Sequence, residues 1–120
     1  MEGPSEIVPG VYGLGTEDVP GKPLAVHTPG HTPGHCALLF AEHGALFVGD
    51  ALCTWNPVTG QTGPQLMPRA FNVDTAQCLD SLAAIESLQA AVLLVGHGEP
   101  WRDGPAAAVA NARRLAAPAA

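Results

Sequence analysis

The ten residues HTPGHTPGHC, from His27 to Cys36, constrain this chain more than any other stretch. Histidines recur there every four residues, a period that would line His27, His31 and His35 along one face of a helix. The Pro29-Gly30 and Pro33-Gly34 pairs oppose that helix, because proline removes a backbone donor and glycine carries an entropic cost. The segment therefore reads as a loop. It is entered from "KPLAVHT" (22–28), which reads as a strand, and it leads into a second apolar run.

That second run, "HCALLFAEHGALFVGD" (35–50), predicts a hairpin, with "CALLF" and "ALFVG" flanking a polar turn at Glu42-His43-Gly44. Upstream, "EIVPGVYGL" (6–14) predicts a strand interrupted near Pro9-Gly10. Residues 51–72 read as irregular, punctuated by Pro57, Gly60, Gly63, Pro64 and Pro68, and long loops of this kind are commonly functional. Asp74 followed by Gln77 resembles a capping box, and Leu79, Leu82, Ala83, Ile85 and Leu88 supply an apolar stripe, so a helix is expected from about Thr75 to Leu88. "AVLLVG" (91–96) predicts a strand covered on both faces. The alanine-rich stretch 105–117 predicts a closing helix with Arg113 and Arg114 near its negative end. The expected fold class is α+β, a β-sheet with a hairpin plus two helices.

A length of 120 residues suits one domain, here taken as 1–120, with a single core. Five basic residues, Lys22, Arg69, Arg102, Arg113 and Arg114, stand against eleven acidic ones for a net charge of −6, which argues against a nucleic-acid partner. The acidic start "MEGPSEIVPG" is unlike a signal peptide, and no apolar stretch approaches a membrane span, so a cytoplasmic protein is expected. Cys36, Cys53 and Cys78 share no metal-binding or disulfide spacing and read as small apolar residues.

Chemistry enters where the strands stop. His31 follows a strand within a glycine-containing turn, Asp50 follows "LFVG" and His97 follows "LLVG". Strand ends that converge on one sheet edge would gather two imidazoles and a carboxylate, a donor set suited to zinc. A turn histidine or a strand-end aspartate taken alone is commonly structural. The coincidence of three such placements leaves the two readings evenly matched.

"VHTPGHTPGHCALLF", "ALFVGDAL" and "VLLVGHGEPW", in this order and with a helix before the last, resemble the C-terminal half of the metallo-β-lactamase-fold hydrolases. The resemblance covers residues 22–104, and "IVPGVYGLGT" is similar to the family's first strand. It implies one half of an αββα sandwich and up to two zinc ions at a shared site. By the same resemblance His31 is a ligand of the first metal, Asp50 bridges both and orients the attacking water as the catalytic carboxylate, and His97 binds the second. His27 and His35 receive no ligand role and are expected to shape the turn or orient its neighbours, and His43 to be solvated.

The family's upstream His-x-His-x-Asp-His cluster has no counterpart, since no histidine precedes His27. The chain reads as a truncated family domain in which the opening strand joins the C-terminal half near Glu17. A lone half would expose an apolar sheet face, with Leu38, Phe40, Leu46, Phe47 and Val48 as candidates to form it. Three readings follow: a zinc-dependent hydrolase of small molecules (ester, thioester, lactone or lactam) completed by a homodimer or a complementing chain, a non-catalytic metal-binding or interaction module, or a remnant of a longer enzyme. The 52–72 loop, with Trp55, Gln65, Met67 and Arg69, is the place for substrate contacts, although each of these residues taken singly reads more readily as a packing or solvated side chain.

Overall fold

A six-stranded sheet organises the computed structural model, which describes residues 5–8, 11–13 and 23–116. Along the chain run β1 (Ser5–Val8), β2 (Val11–Gly13), β3 (Leu24–His27), β4 (Cys36–Phe40), β5 (Ala45–Gly49), β6 (Cys53–Trp55), β7 (Thr62–Gln65), helix α1 (Thr75–Glu86), β8 (Val92–Val95) and helix α2 (Pro105–Ala116). The sheet order is β1-β2-β3-β4-β5-β8, antiparallel throughout except that β8 runs parallel to β5. Strands β1 and β2 flank Pro9-Gly10, where the sequence predicts an interruption, and they pair antiparallel with each other, which an interrupted single strand does not predict. The β4–β5 hairpin closes through a short 3-10 turn that ends at Gly44, whose φ of +60° is the left-handed conformation glycine tolerates. With two helices beside this sheet, the expected α+β class holds.

Period-two alternation decides which side chains meet the helices. Val26, Ala37, Leu46, Val48 and Leu93 share one face and pack with Leu82 and Ile85 of α1 and Ala108, Val109 and Ala112 of α2. Each fully buried leucine or isoleucine there contributes roughly 1.5–3 kcal/mol by leaving water. Leu38, Phe47 and Leu94 form a row across β4, β5 and β8 on the opposite face, where Phe47 is 39% and Leu94 36% exposed. The exposed apolar face expected of a lone half is therefore present, but Leu46 and Val48 are not on it. They point to the helices, because an apolar strand covered on one side can bury only every second residue. Strand β8 corrects a related expectation. It lies at the sheet edge with one face open, and its outer backbone is partly satisfied by Trp101, which exchanges hydrogen bonds with Leu93 in both directions (2.8 and 3.0 Å).

Helix α1 begins where expected. The Asp74 carboxylate accepts the Gln77 N–H at 3.0 Å, while the Asp74 N–H donates to Gly30 O at 2.9 Å, fastening the helix start to the histidine loop. Its buried stripe is Cys78, Leu82 and Ile85. Leu79 turns outward at 37% exposure, so Cys78, a residue type that buries as a small apolar group, takes the place the sequence pattern assigned to Leu79. Cys53 is buried as well, Cys36 half-buried, and all three thiols are free. The 51–72 segment is more regular than its prolines and glycines suggest: β6 and β7 pair as a separate antiparallel ribbon. No helix among the described residues is long and apolar enough to cross a membrane.

Candidate metal centre

Topology alone brings the three strand-end residues together. Strand β4 is antiparallel to both β3 and β5, so β3 and β5 point the same way, and β8 is parallel to β5. The C-terminal ends of β3, β5 and β8 therefore share one sheet edge, and His31, Asp50 and His97 lie just beyond those ends. There the Asp50 carboxylate sits between the two imidazoles. Its Oδ2 is 3.3 Å from His31 Nε2 and its Oδ1 is 3.0 Å from His97 Nδ1. Gly96 lies so close to Oδ1 that a β-carbon there would strike it, so glycine before His97 gives the carboxylate its room.

Hydrogen bonds orient these groups. Asn72 Nδ2 donates to Met67 O at 3.2 Å, which leaves Asn72 Oδ1 as an acceptor facing His31 Nδ1 at 3.1 Å. The proton of neutral His31 is thus held on Nδ1, and the Nε2 lone pair faces Asp50 Oδ2. Two lone pairs 3.3 Å apart repel unless a proton or a cation lies between them.

On the other side of Asp50, its backbone N–H donates to His35 Nε2 at 3.3 Å. His35 Nδ1 therefore carries that ring's proton and meets Thr28 Oγ1 at 2.8 Å. Burial foremost, and then the neighbouring His31, push the His35 pKa below its ordinary value. His27 Nε2 meets Pro33 O at 3.0 Å, bracing the loop, and His43 is exposed in the hairpin turn.

The loop itself rests on α1, with Val73 N donating to His31 O at 3.1 Å. Gly30 (φ +140°) lies against the Cys78 backbone with no room for a β-carbon. Gly34 has open space around it and no left-handed angle, so the loop requires glycine only at the first of its two Pro-Gly pairs.

The donor chemistry fits zinc. Two ligand atoms roughly 2.0–2.2 Å from one zinc, at a tetrahedral angle, lie about 3.3–3.6 Å apart. The His31–Asp50 separation matches that spacing, and the His97–Asp50 separation of 3.0 Å is slightly tighter. Each carboxylate oxygen faces a different imidazole, however, so each prospective position has two donors. In keeping with this, no group of three or more His, Cys, Asp or Glu side chains among the described residues is arranged to hold one ion.

Sequence reasoning located His31, Asp50 and His97 but missed Asn72, which is 41 residues from His31 and carries no motif. Of the expected substrate contacts, Gln65 and Met67 are buried, Arg69 is exposed in a short 3-10 turn, and Trp55 lines a cavity beside His97.

Comparison with known proteins agrees with this architecture. Among solved structures, a metallo-beta-lactamase family protein from Thermus thermophilus superposes with a TM-score of 0.53 at 29% identity, over 78% of this chain and 28% of that one. A beta-lactamase domain protein from Burkholderia ambifaria shares the fold with a TM-score of 0.55 at 24% identity, over 96% of this chain and 32% of that one. A probable metallo-hydrolase from Bacillus subtilis is 34% identical over 84 residues, covering 62% of this chain and 31% of the relative. The hydroxyacylglutathione hydrolase of Rhodospirillum rubrum is 38% identical over 73 residues, covering 60% of this chain and 25% of the relative. The chain thus spans about a third or less of the length of these relatives. The family model of the metallo-beta-lactamase superfamily matches residues 4–97, which takes in the histidine loop, Asp50 and His97, and the chain belongs to that superfamily.

Proposed function

We propose that this chain supplies part of the catalytic centre of a zinc-dependent hydrolase acting on a carbonyl substrate of the ester, thioester, lactone or lactam type. The observation that carries the reading is the Asp50 carboxylate placed between His31 and His97 at distances of 3.3 and 3.0 Å. His31 and Asp50 would hold one zinc, and His97 and Asp50 a second. Zinc supplies a Lewis acid for the carbonyl oxygen and a water acidic enough to act as nucleophile near neutral pH.

The chain's own residues set the geometry. Asn72 fixes the His31 ring with Nε2 forward, and His35 holds the backbone of Asp50. Asp50, as the proposed catalytic carboxylate, would accept a hydrogen bond from the attacking water and so orient its lone pair.

Two donors per position fall short of the three protein ligands of a typical catalytic zinc. We assign the remaining donors to protein outside residues 1–120 and propose a second copy of this chain as their source, since closed two-fold dimers are the commonest oligomers. The same shortfall favours one alternative, a module that binds metal without turnover.

Zinc content per chain tests the reading, measured on metal-replete wild type, Asp50→Ala and the His31/Asp50/His97 triple alanine variant. Zinc bound by wild type and lost in both variants, together with chelator-sensitive hydrolysis of aryl esters, lactones or hydroxyacylglutathione, supports the hydrolase. Zinc without turnover leaves the module. Equal zinc in wild type and triple variant ends both.

A further inference from the structure

One residue beyond His97 a second feature begins, a cavity of about 350 Å³ whose walls include Thr54, Trp55, Thr62, Gly98, Glu99 and Trp101. Its size falls within the range of small-molecule sites. A dry cavity of about 150 Å³ is enough for benzene, so this one has room for a substituted ring.

Hydrogen bonds fix much of the wall, engaging the Thr54 hydroxyl, the Thr54 and Trp55 amides and the Trp101 indole N–H. The Thr54 and Trp55 amides both donate to His97 O (3.0 and 3.3 Å), which ties the ribbon β6–β7 to the residue facing Asp50. Thr54 Oγ1 donates to Glu99 O at 2.7 Å, and Trp101 Nε1 donates to Gly104 O at 2.8 Å. Gly98 (φ +110°) packs so tightly on Thr54 and the Trp55 amide that no β-carbon would fit, so the strand end and the ribbon are in direct contact. With these groups satisfied, the two indoles and the methyl-bearing threonines present mainly apolar surface, and Trp55 is 45% exposed. Among the described residues no lysine or arginine lines the cavity, and the one ionisable wall residue is Glu99. Such a site gains by taking apolar area out of water, and an entering carboxylate would meet a like charge with no cation in the walls to offset it.

We propose that this cavity receives an uncharged apolar arm of the substrate, an aryl or branched-alkyl group, and discriminates against arms bearing a carboxylate. The inference rests on the proposed hydrolase for the word substrate, but the binding itself requires no metal. It adds a specificity site on the ribbon to the centre at the strand ends. Adjacent Cα atoms are about 3.8 Å apart, so an arm lodged against Gly98 lies next to the backbone that carries His97.

The chain contains two tryptophans, so two indole N–H resonances in a nitrogen-correlated NMR spectrum report on this cavity. The full chain, stripped of metal with a chelator, is titrated with 4-methylbenzyl alcohol and separately with 4-methylbenzoate. Saturable shifts of both indole resonances are expected with the alcohol, and at least tenfold weaker binding with the benzoate. Glu99→Gln should narrow that gap several-fold without changing binding of the alcohol. Trp55→Ala should weaken alcohol binding at least tenfold, as read from the Trp101 resonance, and Thr62→Phe, which fills the cavity from the ribbon side, should do the same. Because both variants lie at partly open positions, an unchanged remainder of the spectrum shows that the fold is intact. No indole shift with the alcohol, equal affinity for alcohol and benzoate, or binding unaffected by both cavity variants would each overturn the proposal. Zinc binding is scored separately, so loss of the hydrolase reading and loss of the cavity reading are distinguishable.

Discussion

The backbone N–H of Asp50 donates to Nε2 of His35 at 3.3 Å, so the third histidine of the repeat holds the backbone from which the Asp50 carboxylate extends. His35 is a positioning residue: Thr28 holds its protonated Nδ1, and its Nε2 lone pair secures the backbone from which the Asp50 side chain leaves. Glutamine can place an acceptor near the Nε2 position, whereas alanine cannot. Loss of a group that orients a metal ligand typically costs 10–100-fold in affinity. At the proposed zinc centre, His35→Ala should therefore weaken zinc binding roughly tenfold or more, while His35→Gln recovers most of it. Competition with a chromophoric chelator measures this, and hydrogen exchange at the Asp50 amide should accelerate in the alanine variant only. Unchanged exchange in both would show that His35 does not hold Asp50.

The two Pro-Gly pairs look equivalent in sequence and are not equivalent in the fold. A β-carbon at Gly30 would enter the Cys78 backbone at the start of α1, and its φ of +140° is unfavourable for any other residue. Gly30→Ala should cost about 2 kcal/mol or more, by steric conflict added to backbone strain of roughly 1–3 kcal/mol. Gly34→Ala, with nothing within 4 Å, should change stability little. Urea unfolding curves compare the two. Equal midpoints would mean that the loop does not dock on α1 as described.

Much of this was legible beforehand because it is local. The hairpin, the Asp74 cap, both helices and the placement of His31, Asp50 and His97 at strand ends all follow from period, glycine and punctuation. What escaped was non-local. Whether Leu46 or Phe47 meets the helices depends on which sheet face they cover, and an apolar run such as ALFVG does not specify it. Asn72 and the ribbon β6–β7 lie in a segment dense in proline and glycine, where turn chemistry masked a short strand pair. The pairing of Asp50 with His31 on one side and His97 on the other follows from strand directions, so the sequence could nominate the donors but not show that they meet in twos.

Burial shapes the alkaline limit of stability. Cys53 is fully buried, and its pKa is pushed up to about 11, first by burial and then by the nearby Asp50 carboxylate. The unfolded thiol, at its ordinary 9.0, ionises earlier as pH rises. The stability that its protonated form contributes is complete below pH 9.0 and is lost as pH climbs toward 11. The full loss is on the order of 2–3 kcal/mol. Cys53→Ala should flatten this decline, at the separate expense of a small cavity, while Cys36→Ala at the half-buried position should flatten it less. Denaturation midpoints between pH 8.5 and 11 test the slope, and a Cys53→Ala profile parallel to wild type would remove the assignment.

The row Leu38, Phe47 and Leu94 bears on association. It crosses three adjacent strands on the face opposite the helices, and an interface core of this kind is apolar, with a polar rim. A stable contact needs about 1,200–2,000 Å² in total, far more than three side chains supply, so a second copy would have to cover neighbouring positions such as Phe40 and Val92 as well. Each chain carries a net charge of −6, so like-charge repulsion opposes the pairing and salt should strengthen it. The expected outcome is a dimer at micromolar concentration by sedimentation, tighter at 0.5 M than at 0.05 M sodium chloride. Phe47→Glu and Leu94→Glu, alone or combined, should shift it to monomer. Both side chains point away from the helix-covered core, so the variants should retain the wild-type circular dichroism spectrum. If the centre depends on donors from the second copy, zinc affinity should fall in step with dissociation even though His31, Asp50 and His97 are untouched. A wild-type chain that remains monomeric at both salt concentrations rejects the second copy as the source of the missing donors, and zinc affinity unchanged in a monomeric variant separates the interface from the metal centre.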